Sequence, residues 1–300
     1  MSLLVVGSVA LDTIQTPFGI RKNILGGSAT YFSVSARFFS PVNIVAVVGE
    51  DFPAAHINFL KNKGIGIEGL SIQPGGKTFR WEGAYSWDFN NAKTIATHLN
   101  VFADFNPRLP AGYRKSKYVF LANIDPQIQA AVLNQVDNPR FVACDTMNHW
   151  ITNKRKDLIK FLNKVDLLFL NDAEARQLSG ENNLYKAALA INKFGPKKLI
   201  IKKGEHGALL FSKNSTFSVP AFLLKDVVDP TGAGDTFAGA VMGYLAQRGR
   251  FDDATLRRAL VWGNVMATFA VEGFSLSRLA GVNGAAIRKR LKEFQALVSF

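Results

Sequence analysis

The sequence predicts an α/β fold built around a mostly parallel β-sheet. Two short apolar runs, residues 3–7 and 44–48, have the length and composition of buried parallel strands. From Tyr118 onward, short apolar strands alternate regularly with segments of helical pattern. The 300 residues suit one large α/β domain, so we expect residues 1–300 to form a single domain.

The composition is typical of a soluble globular protein, with 48% apolar and 20% charged residues. The single cysteine, Cys144, cannot form an intrachain disulfide, which favours a reducing compartment. No apolar stretch reaches the ~20 residues of a membrane helix, and the first ten residues lack a basic leader. We therefore expect a cytoplasmic protein without a membrane partner.

The chain carries a net charge of +13, from 36 basic and 23 acidic residues. Its basic clusters are dispersed and lack interleaved aromatic residues, a pattern more typical of solvated surface than of nucleic-acid binding. We expect no nucleic-acid partner, and attraction of anionic nucleotides is the alternative explanation of the charge.

The first strand leads to a candidate ligand site. Asp12 lies just beyond residues 3–7, where open α/β sheets bind ligands, although such an aspartate is more often a turn residue. Residues 13–24 read as a hairpin. Gly26 and Gly27 then open a helical run.

Two glycine motifs in the next segment imitate nucleotide-binding loops. Residues 64–69 match the dinucleotide pattern but follow a helical run where that fold needs a strand, so Gly64 is expected to end the helix. Residues 76–78 resemble the end of a phosphate loop, but the upstream position that requires glycine is Ser71, and the following residues alternate like a strand. We reject both motifs.

The second half of the chain places polar residues at strand ends. Asn171 follows one apolar strand and, with Glu174, can cap the next helix. Asp145 and Asn148 follow another strand. The predicted strands are residues 118–121, 141–144, 167–170 and 199–201, and the predicted helices are 126–136, 154–163, 172–178, 184–194 and 254–271.

The most informative stretch is residues 229–240, Asp-Pro-Thr-Gly-Ala-Gly-Asp-Thr-Phe-Ala-Gly-Ala, with a helix expected from Thr236. Gly232 and Gly234 allow a close approach of the backbone, and a helix N-terminus adds partial positive charge, so the stretch suits a phosphate. Asp235 would repel that phosphate but could take the proton of an alcohol. The alternative is an ordinary helix start with Asp235 as a first-turn acid.

Residues 229–240 closely resemble the second signature of the ribokinase-like sugar kinases, also called the phosphofructokinase-B (PfkB) family. Gly26 and Gly27, the strand at 44–48 and the following Gly-Glu-Asp resemble its first signature region. The resemblance covers nearly the whole chain. It implies a three-layer α/β/α sandwich with a mostly parallel central sheet and a small β lid. We expect the lid at about residues 13–25 and 67–100, where it would exclude water from the acceptor.

The resemblance also implies roles for individual residues. Asp235 would be the catalytic base, and Gly232, Ala233 and Gly234 would form the anion hole for the transferred phosphoryl group. The residues that it assigns to the acceptor are Asp12, Gly26, Gly27 and Thr30, and those that it assigns to the nucleotide are Lys203, Gly204, Gly207 and Asn264. It also implies that Asn171 and Glu174 hold Mg²⁺, mostly through water, and that Asp229 binds a monovalent cation such as K⁺. For Asn264 an ordinary polar position on a helix is an equal alternative. Asp145 and Asn148 are candidates for the floor of the site.

Three positions depart from the family pattern. Pro230 stands where a hydroxyl residue is usual, Thr30 where asparagine is usual, and Ala10 where ribokinases proper carry asparagine. The last two positions belong to the acceptor pocket, so ribose is a less expected substrate than another alcohol.

We therefore expect an ATP-dependent, Mg²⁺-requiring kinase that phosphorylates a hydroxymethyl group of a sugar or sugar-like alcohol. A nucleoside kinase of the same fold and a catalytically silent sugar or nucleotide sensor are the alternatives. The presence of Asp235, Asn171 and Glu174 argues against the sensor, which needs no base. Lids of this kind often pair their edge strands between subunits, so the resemblance also allows a homodimer through the lid.

Overall fold

The strands of the molecule form two sheets. The computed structural model describes residues 2–213 and 215–299; its nine-stranded sheet is called here the main sheet and its four-stranded sheet the small sheet. The strands are β1 (Leu3–Val6), β2 (Ala10–Thr16), β3 (Gly19–Gly26), β4 (Val42–Gly49), β5 (Gly66–Gln73), β6 (Arg80–Ala84), β7 (Lys93–His98), β8 (Tyr118–Leu121), β9 (Phe141–Asp145), β10 (Leu167–Asn171), β11 (Lys198–Lys202), β12 (Ala208–Phe211) and β13 (Thr216–Val219).

The helices lie between these strands and after them, as the predicted alternation requires. They are α1 (Ser28–Ala36), α2 (Ala54–Asn62), α3 (Ala111–Arg114), α4 (Pro126–Leu133), α5 (Asn148–Asn153), α6 (Arg155–Leu162), α7 (Asp172–Ser179), α8 (Leu184–Asn192), α9 (Ala233–Arg248), α10 (Asp253–Val271) and α11 (Gly284–Val298).

The main sheet has the order β13-β12-β11-β10-β9-β8-β1-β4-β5. Its neighbours from β11 to β5 pair in parallel, and β12 and β13 pair in antiparallel fashion at one edge. Successive side chains of β1 face opposite sides of the sheet. Leu3 and Val5 join a core with residues of α1, α9 and α10, whereas Leu4 and Val6 join a core with residues of α4, α6 and α8. The predicted α/β/α sandwich is therefore confirmed.

The small sheet has the order β3-β2-β6-β7. Strands β2 and β3 form the antiparallel hairpin that was predicted after the first strand. The hairpin is extended by β6, which runs parallel to β2, and by β7, which is antiparallel to β6.

The second predicted lid segment, residues 67–100, was predicted to begin too early in the chain. Residues 66–73 were expected to be partly in the lid, but β5 pairs in parallel with β4 and forms an edge of the main sheet. Gly69 makes this pairing close, because a Cβ there would lie 2.6 Å from Val45. The composition of the segment predicts an extended strand but does not specify its partner. The small sheet instead uses residues 10–26 and 80–98.

Helix α9 begins earlier than the sequence indicated and packs tightly on α1. It starts at Ala233, three residues before Thr236, so the glycine motif forms its first turn. A Cβ at Gly239 would collide with the carbonyl oxygen of Phe32 in α1, and one at Gly243 would lie 2.8 Å from the carbonyl oxygen of Ala36. The backbones of the two helices are therefore in direct contact.

The rejected dinucleotide motif is a helix end, as predicted. Gly64 follows α2 with φ of 71°, and β5 begins only at Gly66. Among the helices in residues 2–213 and 215–299, none combines the length and hydropathy that crossing a bilayer requires.

Candidate active site

Three neighbouring strands end in polar residues at the same edge of the main sheet. Asp145 ends β9, Asn171 ends β10 and Lys202 ends β11. Asn171 is paired with Lys202, and Asp145 is paired with Phe169, two residues before Asn171. The carboxyl ends of parallel strands are the usual ligand edge of an open α/β sheet.

The predicted anion hole is the first turn of α9. Gly232 precedes the helix with φ of 74°, a left-handed conformation that favours glycine, and a Cβ there would overlap the ring of Tyr31. The amide of Ala233 donates to the carbonyl of Pro230 at 3.1 Å. The amides of Gly234 and Asp235 belong to the same turn, where the helix supplies no acceptor. The turn can therefore offer an anion donors as well as the dipole of the helix.

Asp235 lies in this first turn with a carboxyl group whose pKa is raised to about 7. Burial is the main cause, the negative charge of Asp145 adds to it, and Lys202 opposes it. A base with a pKa near neutrality is well matched to taking a proton from an alcohol.

Lys202 is the functional candidate that sequence reasoning missed. Its ammonium forms an ion pair with Asp145 at 2.9 Å, and the two side chains are only 19% and 6% exposed. Burial lowers the pKa of Lys202, but the carboxylates of Asp145 and Glu174 raise it by more, so the net shift is upward. A Cβ at Gly234 would lie 3.1 Å from Lys202 Nζ, which places the ammonium beside the predicted anion hole.

Asn171 and Glu174 form a reciprocal cap at the start of α7. Asn171 Oδ1 accepts from the amide of Glu174, and Glu174 Oε2 accepts from the amide of Asn171, both at 2.7 Å. The pKa of Glu174 is raised to about 7 by burial and by Asp145, against the opposing effect of Lys202. A cation near Glu174 would stabilise its ionised carboxylate and so offset the effects of burial and of Asp145.

This arrangement fits Mg²⁺ that is held mostly by water and phosphate. Within residues 2–213 and 215–299, no group of three or more His, Cys, Asp or Glu side chains is arranged to enclose a metal. Mg²⁺ keeps several waters and is usually bound through one or two carboxylates with substrate phosphates. Glu174 Oε1, which takes no part in the helix cap, is available for such a contact.

Asp12 is a buried residue of β2 in the small sheet. Burial raises its pKa to about 7; the amides of Trp81 and Gly27 lower it, and Asp229 and Asp235 add to the rise. Among the described residues Asp12 Oδ1 has no hydrogen-bond partner, so it can accept from a ligand hydroxyl.

Gly26 lies beside Asp12, and Gly27 and Thr30 lie at the adjoining start of α1. A Cβ at Gly26 would overlap the Asp12 carboxylate, and one at Gly27, whose φ is 95°, would lie 2.5 Å from the carbonyl oxygen of Ser8. These glycines therefore make room for the carboxylate and the chain. Thr30 is fully buried, and its hydroxyl has no partner among the residues described.

Tyr85, the first residue after β6, contacts the turn that precedes α9. Thr231 Oγ1 donates to Tyr85 Oη at 3.3 Å. The pKa of Tyr85 is raised to about 12, because burial and the negative charges of Asp229, Asp12 and Asp235 outweigh the opposing effect of the bond to Thr231. Tyr85 therefore lies within electrostatic reach of the three carboxylates.

Asp229 is fully buried, and both of its carboxylate oxygens are bonded to amides. Oδ1 accepts from Thr231 at 2.9 Å and Oδ2 accepts from Ser275 at 3.1 Å. Burial is the largest cause of its raised pKa. A cation at this position would share oxygens that already hold two loops together.

The predicted nucleotide residues fall into two groups. Lys203, Gly204 and Gly207 form a tight turn after β11, closed by a 2.8 Å bond from the Lys203 amide to the Gly207 carbonyl. Asn264 is buried within α10 and donates to the carbonyl of Pro220. This bond is a structural role and gives no support to base recognition by Asn264.

The loop between β6 and β7 touches this turn, since Asn90 Nδ2 donates to Glu205 Oε1 at 3.0 Å. Asp145 and Asn148, the two candidates at the end of β9 and after it, have different surroundings. Asp145 faces Lys202, whereas Asn148 is exposed at the start of α5 and its side chain accepts from the amide of His149.

Comparison with known proteins agrees with this geometry. Residues 3–279 match the family described as pfkB family carbohydrate kinase. Cytidine kinase of Thermococcus kodakarensis is 31% identical over 258 residues, which cover 83% of this chain and 90% of that protein. Nucleoside kinase of Methanocaldococcus jannaschii is 24% identical over 266 residues, which cover 87% of this chain and 82% of that protein.

The fold is also that of a solved structure, the nucleoside kinase of Burkholderia thailandensis in complex with inosine. Its TM-score is 0.78 at 20% identity, with 99% of each chain covered. The matched residues include the strand ends, Gly26 and Gly27, and the stretch 229–240 with Asp235. The chain therefore belongs to the pfkB family of carbohydrate kinases, whose members are phosphotransferases that act on hydroxyl groups.

Proposed function

We propose that the chain transfers the γ-phosphoryl group of ATP to a hydroxymethyl group of a nucleoside. The observation that carries the kinase assignment is the position of Asp235 in the first turn of α9. There a carboxyl group with a pKa of about 7 lies next to the backbone of Gly232–Gly234. A base and an anion hole on one turn are what phosphoryl transfer to an alcohol needs.

The proposed roles follow from these positions. Asp12 holds an acceptor hydroxyl, Asp235 takes the proton of the reacting hydroxyl, and the α9 turn stabilises charge on the transferred group. Base catalysis contributes about 10²–10⁴ in rate, and an oxyanion-hole donor contributes about 10²–10³. Mg²⁺, when bound near Glu174, would neutralise charge on the phosphates.

A nucleoside is the acceptor that the relatives favour. Cytidine kinase and nucleoside kinase each align with more than four fifths of this chain. Tyr85 would bring an aromatic ring close to Asp12, the proposed acceptor residue. The ring of a tyrosine can stack on a nucleobase, and its hydroxyl can donate a hydrogen bond. A sugar remains the second candidate, because the family as a whole is described as carbohydrate kinases.

We expect kcat/KM for at least one nucleoside to exceed that for ribose and fructose by about tenfold or more, a difference of about 1.4 kcal/mol in transition-state binding. The measurement is ADP formation with Mg²⁺ and ATP against cytidine, uridine, adenosine, inosine, ribose and fructose. A higher value for a sugar would return the acceptor to the sugar class. Binding of ATP and a nucleoside without turnover would indicate the sensor.

Asp12→Asn is expected to raise the KM of the acceptor by about 10- to 100-fold, the value of a hydrogen bond to a charged group, while the KM of ATP changes little. The reason is the unpartnered Oδ1 of Asp12. Asp104→Asn, at an exposed aspartate outside the site, is the matched control. Equal increases in both KM values would contradict an acceptor role for Asp12.

Two further assignments stay proposals. Asp229 is a candidate ligand for K⁺, supported by its burial and raised pKa. A homodimer through the small sheet is supported by exposed apolar side chains on that sheet and its loops, including Phe18 at 45% and Trp87 at 75% exposure.

A further inference from the structure

Lys202 occupies a position that links the main sheet to the anion hole. It is the last residue of β11, and its ammonium lies 2.9 Å from Asp145 Oδ2. The same nitrogen would lie 3.1 Å from a Cβ at Gly234, which belongs to the first turn of α9. A side chain at Gly234 would thus crowd the ammonium, so glycine at this position lets the ammonium lie directly against the turn.

The charges around Lys202 are unbalanced. Asp145, Glu174 and Asp235 all act on the ammonium electrostatically, and among the described residues it donates a hydrogen bond only to Asp145. An ammonium has three donors, so two remain for a ligand. Because Lys202 is mostly buried, a new charge-assisted bond would be little weakened by solvent.

We propose that Lys202 is a catalytic residue that binds the terminal phosphate of the nucleotide at the N-terminus of α9, and that Asp145 is the positioning residue that holds its ammonium there. This inference rests on the proposed phosphoryl transfer.

During the transfer the bond between the γ-phosphorus and the bridging oxygen breaks, and its electrons stay on ADP. The acceptor oxygen forms the new bond to phosphorus and gives its proton to Asp235. Lys202 keeps its own protons and donates hydrogen bonds to the phosphoryl oxygens, where charge must be neutralised. Two cationic features, the ammonium and the helix N-terminus, then face the same group.

The alternative is that Lys202 and Asp145 only stabilise the sheet edge as a buried ion pair. The two readings predict different results for the pair of substitutions. Breaking a buried pair leaves an uncompensated charge, whereas replacing both partners with neutral side chains is often tolerated. A structural pair should therefore be repaired by the double variant, and a phosphate-binding lysine should not.

The experiment measures binding by calorimetry with Mg²⁺ and without acceptor. Its two probes are ADP and the non-hydrolysable ATP analogue AMP-PCP, which differ in the terminal phosphate. We expect Lys202→Met to weaken AMP-PCP by about 10- to 100-fold and ADP by less than about threefold. The double variant Asp145→Asn with Lys202→Met should show the same selective loss.

The control is Lys198→Met, the same substitution at the opposite end of β11. It should leave both affinities unchanged. The proposal is overturned if Lys202→Met affects both probes equally or neither, or if the double variant regains affinity for AMP-PCP. If Lys202→Met does not fold, the double variant alone decides.

Failure of the inference is distinguishable from failure of the proposed function. No acceptor is present in the binding experiment, so an enzyme that is silent against every nucleoside and sugar could still show the selective loss of AMP-PCP. An active enzyme with equal losses for ADP and AMP-PCP would keep its proposed function and lose the role of Lys202.

Discussion

Asp235→Asn is expected to lower kcat by about 10²–10⁴-fold, because an amide cannot take the acceptor proton. The variant should fold normally, since asparagine fits the first turn of a helix, and its affinity for ATP should stay within a few-fold of the parent. Steady-state kinetics with saturating ATP and acceptor provide the measurement, and calorimetry provides the affinity. Turnover within a few-fold of the parent would remove Asp235 from the role of base.

The raised pKa of Asp235 gives the same substitution a second signature. Its folded pKa of about 7 lies above the ordinary value of 3.8, so the stability linked to this group is complete below about pH 4 and is lost as the pH rises through about 7. Asp235→Asn should therefore raise Tm at about pH 8 and leave it unchanged at about pH 4, with a rise of about 2–4 °C for each kcal/mol added to the free energy of unfolding.

The parent enzyme should lose activity as the pH falls below about 7, because the base must be ionised.

Gly232→Ala is expected to lower kcat by about 10²-fold or more, the value of an oxyanion-hole donor, and to destabilise the protein as well. Gly232 has φ of 74°, and a Cβ there would overlap the Tyr31 ring. The turn can accept alanine only by moving, and that movement displaces the amides at the start of α9. Kinetics and thermal unfolding should both be measured.

Gly249→Ala is the matched control for Gly232→Ala. Gly249 ends the same helix with φ of 61°, but a Cβ there would meet Tyr118 Oη only at 3.5 Å. The Gly249→Ala variant should lose about 1–2 kcal/mol in the free energy of unfolding, because alanine disfavours the left-handed backbone conformation, and it should retain activity. If the two variants lose stability equally and both keep their activity, the conformation of Gly232 is not needed for the anion hole.

Sequence reasoning predicted the parts of the site that local patterns specify. Residues 229–240 contain both the turn and the buried carboxyl group of Asp235, and the cap formed by Asn171 and Glu174 has a spacing that can be read directly. The strand that ends at Asp145 was also predicted, because buried parallel strands are short apolar runs.

The remaining features depend on contacts between distant segments. Lys202 looks like an ordinary solvated lysine at a strand end, and only the pairing of β9, β10 and β11 brings it to Asp145. A polar position on a helix such as Asn264 cannot be interpreted until its partner, the carbonyl of Pro220, is known. Strand β5 was extended as expected, but its partner β4 is a matter of tertiary pairing.

The direct contact of α1 and α9 has a consequence for engineering the enzyme. Helix α1 begins just after Gly27 and α9 begins at the glycine turn before Asp235, so the packing of Gly239 and Gly243 on α1 fixes the distance between two segments that carry predicted site residues. A chimaera that takes its first 40 residues from one kinase and α9 from another would join two backbone surfaces that were never fitted together. Exchanges of segments between such kinases should therefore transfer α1 and α9 only as a pair.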